Sequence, residues 1–115
     1  MTQTSLAQSD VNGVKLLRLA GTLNLPGVER IHPAFSEAVE ESPRVVVDLS
    51  GVDVINTPGI GMILAAARDK KHSGGHFVVT GANAMVAQAL RLCRLDMVLA
   101  IVPDVNEALE QVKLA

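Results

Sequence analysis

The sequence predicts an α/β fold: a mixed β-sheet with helices packed on it, in the order β-β-α-β-α-β-α-β-α. Three observations carry this. Asn12-Gly13 separates two short apolar stretches, and Asn-Gly supplies the positive φ angles of a tight hairpin. Beyond it, β-branched runs alternate with segments whose apolar residues recur at helical spacing. Finally, 115 residues with 49% apolar side chains suffice for one aliphatic core without disulfide or metal. A hairpin followed by alternating helix–strand units makes a mixed sheet. No repeat, low-complexity tract or Pro/Ser-rich linker interrupts the chain, so 1–115 reads as a single domain.

The first strand is expected around Leu6 to Gln8, with the turn at Asp10-Val11-Asn12-Gly13. Val14 to Leu19 forms the second strand, ended by Gly21. Val28, Ile31, Phe35, Ala38 and Val39 stripe the first helix, whose other side carries Glu29, Arg30, Glu37, Glu40 and Glu41. Pro43 closes it. Val45 to Leu49 is nearly all β-branched, as in a strand buried on both faces. Ile60, Ile63, Leu64 and Ala67 stripe the second helix. Arg68, Lys70, Lys71 and His72 complement its C-terminal dipole before Gly74-Gly75. His76 to Thr80 is the fourth strand. Val86, Ala89, Leu90 and Cys93 stripe a third helix, which makes Cys93 a small core residue. Leu99 to Val102 is the last strand. Asp104 and Glu107 form a capping box opening a helix striped by Val105, Ala108, Leu109 and Val112.

Composition excludes several functions. With only Phe35 and Phe77 as aromatics, there is no surface on which to stack bases. A formal charge of −2 argues against a phosphate-tracking face, so no nucleic-acid partner is expected. No metal is expected: Cys93 stands alone, and His32, His72 and His76 lack ligand spacing. No apolar run approaches a bilayer span, and Met1 to Ser5 lacks the pattern of a signal peptide, so a cytoplasmic protein without membrane insertion is expected. Gly59-Ile60-Gly61 fits neither phosphate-loop pattern, and no cofactor is expected. Asp48 would need further carboxylates near the first strand to act as a receiver's phospho-acceptor. The only early acid, Asp10, falls in the turn. No nucleophile–base pair can be assembled either, so the chain is not expected to be an enzyme.

The informative stretch is Ser50 to Gly59, read as a loop. Pro58 suits the first helical position, and the residue before a proline is pushed toward extended geometry. Thr57 is therefore the expected N-cap, its hydroxyl near unpaired backbone N–H groups. A phosphate there would be electrostatically welcome.

Asp48-Leu49-Ser50-Gly51-Val52, followed by Asn56-Thr57-Pro58-Gly59-Ile60-Gly61, resembles the signature of the STAS domain family (sulfate transporter and anti-sigma factor antagonist). Gly21-Thr22-Leu23-Asn24 is similar to that family's Gly-x-Leu-Asp, and Gly74-Gly75 and Leu95-Asp96 to Leu99 also agree. In the anti-sigma factor antagonist branch, a Ser or Thr opening the second helix is phosphorylated by a serine/threonine-kinase-type anti-sigma factor. The unphosphorylated antagonist holds that kinase and frees the sigma factor. Carried over by position, the resemblance implies Thr57 as phospho-acceptor and a protein-binding surface at Asn24, Asn56, Thr57, Pro58, Gly59 and, if exposed, Met62. Phosphorylation would add about −1.5 to −2 charges there. The chain departs from the pattern at three places: Asn24 and Asn56 replace acids, and Pro58 replaces a small residue. The resemblance equally admits an unphosphorylated accessory or scaffold subunit of an ABC lipid-transport or signalling complex. A nucleotide-binding module is a third reading, though no phosphate-loop lysine or base-stacking aromatic supports it. A hydrophobic helix face could also pair two copies into a homodimer.

Overall fold

The computed structural model describes residues 3–114. Its elements follow the expected order: β1 (Ser5–Val11), β2 (Val14–Leu23), α1 (Leu25–Glu41), β3 (Arg44–Ile55), α2 (Thr57–His72), β4 (His76–Thr80), α3 (Ala84–Leu92), a 3₁₀ turn (Leu95–Met97), β5 (Ala100–Val102) and α4 (Val105–Leu114). The five strands lie in sequence order across one sheet, β1-β2-β3-β4-β5. Only the β1–β2 pair is antiparallel, turned at Asn12 (φ 51°) and Gly13 (φ 84°) as the Asn-Gly pair requires. The other pairings are parallel and each needs a crossover helix.

Because the strands are added in order and such crossovers are right-handed, α1, α2 and α3 all pack on one face. That face carries Leu17, Leu19, Val45, Val47, Leu49 and Val79 against Ile31, Phe35, Ile63 and Leu90. The opposite face carries Val14, Leu16, Val46 and Val78 against Ala108 and Val112 of α4. Val45, Val46 and Val47 are all 0% exposed, as a strand sandwiched between helices should be. Each such burial contributes roughly 1.5–3 kcal/mol.

Four expectations need correction. The stretch read as a loop after Leu49 stays in the sheet to Ile55, and β2 likewise continues past Gly21 to Leu23. Register shifts at Arg18/Ala20 and Gly21/Thr22 let the two strands bend while remaining paired, with Gly21 at φ 89°. Asp10 is not in the turn but in β1, its carboxylate 3.3 Å from Lys15 Nζ. Cys93 is exposed, because α3 stops at Leu92 and Arg94 turns the chain at φ 61°. Lys70 lies in the last turn of α2 as expected, but it is only 6% exposed. Its Nζ donates to the Ser42 carbonyl at 2.6 Å, placing a cation on the C-terminal end of α1. Burial lowers its pKa, against an opposing pull from Glu40.

Candidate functional site

At the C-terminal edge of the parallel strands, α1, α2 and α3 begin side by side, and each begins with asparagine: Asn24, Asn56 and Asn83. All three have extended backbones and pass their carbonyls into the first helical bond, to Val28, Ile60 and Ala87. Their side chains differ. Asn24 Oδ1 accepts from Gly27 N at 3.0 Å, and Asn83 Oδ1 from Val86 N at 2.8 Å. Asn83 Nδ2 also reaches back to the Val52 and Asp53 carbonyls. Asn56 makes no capping bond with its side chain. The middle helix therefore starts open between two closed neighbours.

Thr57 is accordingly the first residue inside α2, and the expectation that it is the N-cap is corrected: Asn56 holds that place. The residue before proline is biased from helical geometry but not barred, and Leu25 before Pro26 does the same in α1. The two starts share one frame, Asn24-Leu25-Pro26-Gly27 and Asn56-Thr57-Pro58-Gly59. They are joined where Asn56 N donates to the Leu23 carbonyl at 2.9 Å and where Leu23 pairs with Ile55. The glycines seal the frame. A Cβ on Gly27 would collide with the Thr22 carbonyl and the Thr4 hydroxyl. One on Gly59 would lie 2.8 Å from Leu23 Cβ and 2.9 Å from Ile55 Cγ1.

Of the residues assigned to this site from sequence, Asn56 and Thr57 are exposed, and Asn24 and Pro58 are half-exposed. Gly59 is buried and acts through packing. Met62 is not part of the surface. At 6% exposed it sits in the cleft of about 350 Å³ between α1 and α2, beside Phe35 and Val39. Its turn of helix faces α1 rather than the sheet edge. Sequence reasoning missed Asn83, Leu25 and Met85. Leu25 is 56% exposed and Met85 65%, and they occupy the first turns on either side of Thr57. The repeated Asn-x-Pro-Gly was the available signal for Leu25.

Chemically, Thr57 offers a hydroxyl at an open helix start, where a dianion gains from the helix dipole. Asp53 is turned aside: its Oδ1 accepts from Thr22 Oγ1 at 3.0 Å and from Val54 N at 2.7 Å. Asp48 packs under Gly81, accepting from Ser50 N at 2.9 Å with Arg18 Nε 3.5 Å away. Among the described residues no three His, Cys, Asp or Glu side chains converge as metal ligands, and no helix is long and apolar enough to cross a membrane.

Residues 6–103 match the family model described as Mlab, STAS domain. The anti-sigma-F factor antagonist RsfB of Mycobacterium tuberculosis is 28% identical over 106 residues, which span 91% of this chain and 86% of RsfB. An anti-sigma factor antagonist from Mycobacterium paratuberculosis superposes with a TM-score of 0.81 at 22% identity, covering 96% of this chain and 95% of that one. An anti-sigma-factor antagonist (STAS) domain protein from Planctomyces limnophilus gives 0.84 at 20% identity, over 94% and 97%. At those identities the two structures speak for the fold.

Proposed function

The chain belongs to the STAS domain family, and from that premise we propose that it is an anti-sigma factor antagonist. It binds a kinase-type anti-sigma factor through the edge around Thr57 and releases it when Thr57 is phosphorylated. The observation that carries this reading is the position of Thr57: exposed, in the first turn of the one helix of the row whose cap is open. The similarity to RsfB along nine-tenths of the chain supports it. In the transfer, the Thr57 oxygen takes the γ-phosphoryl group of ATP, its proton leaves and ADP departs. A dianion then stands on the contact surface, and local charge alone separates the partners. A coupling of ~1–3 kcal/mol lowers affinity ~5–150-fold. The regulator works in the cytoplasm and does no chemistry of its own.

The test is intact mass and fragment mapping after incubation with the partner kinase and ATP. One phosphate on Thr57, none on Thr57→Ala and weaker kinase binding by the modified form are the expected results. An unmodified chain that still binds the partner overturns the switch. It would leave the second reading, a constitutively bound accessory subunit of an ABC lipid-transport or signalling complex.

A further inference from the structure

The cleft of about 350 Å³ between α1 and α2 has an apolar floor and one charged end. Phe35 and Val39 of α1 and Met62 and Ala66 of α2 make the floor, all four buried. The space stays open because Ser36, Ala65 and Ala66 are too short to fill it. Its titratable lining groups are Glu40, Asp69 and Lys70 at one end and His32 at the other. His32 lies 3.4 Å from the Ser36 hydroxyl, and Lys70 is already bonded to the Ser42 carbonyl. Lys71 and His72, in the same last turn of α2, do not line the cleft. The carboxylates stand where a cation belongs. α1 carries no base in its last turn, although a helix C-terminus repels acids. Of the two acids there, Glu41 meets Lys15 at 3.1 Å. Among the described residues neither Glu40 nor Asp69 has an ion pair, although Glu40 acts on Lys70 through space.

We infer that this cleft binds a small cationic amphiphile, with an apolar body over Phe35 and Met62 and a protonated amine between Glu40 and Asp69. A cleft of this volume, apolar below and with a few polar groups at its rim, suits a small molecule. Met62 and Asp69 are seven residues apart on α2, about 10 Å of helix rise, so a short chain must separate the amine from the apolar body. The unbranched Met62 side chain lets the floor adapt to a ring. An amine gains two carboxylates and the negative end of α1. An anion meets the same groups and is repelled, since the one buried cation already serves the Ser42 carbonyl. Asn24, Asn56 and Thr57 do not line the cleft, so the inference stands apart from the phospho-switch.

The probe is phenylbutylamine, titrated by amide NMR beside phenylbutanol and phenylbutyrate, its neutral and anionic counterparts. Saturable shifts at Phe35, Met62 and Asp69 are expected, with the amine at least threefold tighter than the alcohol. The carboxylate should bind at least tenfold more weakly than the amine, and added salt should narrow both gaps. Glu40→Gln with Asp69→Asn should erase the amine's advantage and leave the alcohol's affinity within twofold, at a melting temperature no lower than the parent's. Ala65→Phe, which fills the cleft from an exposed position, should weaken the amine at least tenfold at unchanged melting temperature. Equal binding of amine and alcohol, tighter binding of the carboxylate, or amine binding that survives Ala65→Phe overturns the inference. So do shifts confined to other surfaces, or no saturable shift with any of the three. No kinase enters the experiment, so the Thr57 switch is decided separately.

Discussion

The starts of α1 and α2 are two copies of one local design that have been finished differently. Both run strand, asparagine, one residue, proline, glycine, helix, and both glycines press against the end of β2. In α1 the asparagine closes its own helix and the following residue is Leu25. In α2 the asparagine leaves the helix end open and the following residue is Thr57. The difference separates what the frame requires from what it leaves available. Proline and glycine place both turns. The cap and the residue after it decide whether a turn is merely built or can also be addressed by a partner.

That comparison can be broken first at the glycines. Gly27→Ala should cost about 3 kcal/mol and Gly59→Ala about 2, because both would press on a carbonyl of β2 but a Cβ on Gly27 would come closer to it, and to a buried hydroxyl, than one on Gly59 comes to Leu23 and Ile55. In a domain of this size that is a fall of roughly 4 °C in Tm for each kcal/mol. Equal losses would mean that the two frames are the same in packing as well as in sequence. The caps sharpen the contrast next. Asn24→Ala should cost about 1 kcal/mol in urea unfolding, whereas Asn56→Ala should change stability by less than about 0.5 kcal/mol. An equal loss at Asn56 would mean that its side chain closes α2 in solution and that the open start is wrong. The smallest effect is a gain. Asn56→Asp should stabilise by about 0.5 kcal/mol at low salt through the helix dipole, and added salt should erase it.

Most of the architecture was legible because hydrophobic spacing reports it directly. The β-branched run at Val45 to Leu49, the stripe from Val28 to Val39 and the Asn-Gly turn each became the element they implied. What was not legible was decided by long-range pairing. Ser50 to Ile55 reads as part of a loop, with a glycine and two polar residues, yet the bend shared with β2 keeps it in the sheet. Lys70 reads as a complement to the dipole of its own helix, yet its amine reaches the end of α1. At the site, Thr57 was found by position and resemblance, but its place in the first turn was not. Pre-proline bias argued for an extended Thr57, and the pairing of Asn56 N with the Leu23 carbonyl fixed the extended residue one place earlier.

The division of helices between the two faces sets an order of assembly. As synthesis proceeds, α1, α2 and α3 each follow the strand they cover, so their face of the sheet closes as it emerges. Among the described residues the other face has α4 as its only helix, and α4 is the last element made. Until Ala108 and Val112 arrive, Val14, Leu16, Val46 and Val78 present a bare aliphatic strip. A nascent chain halted before Val105 therefore leaves that strip in water, where it invites aggregation.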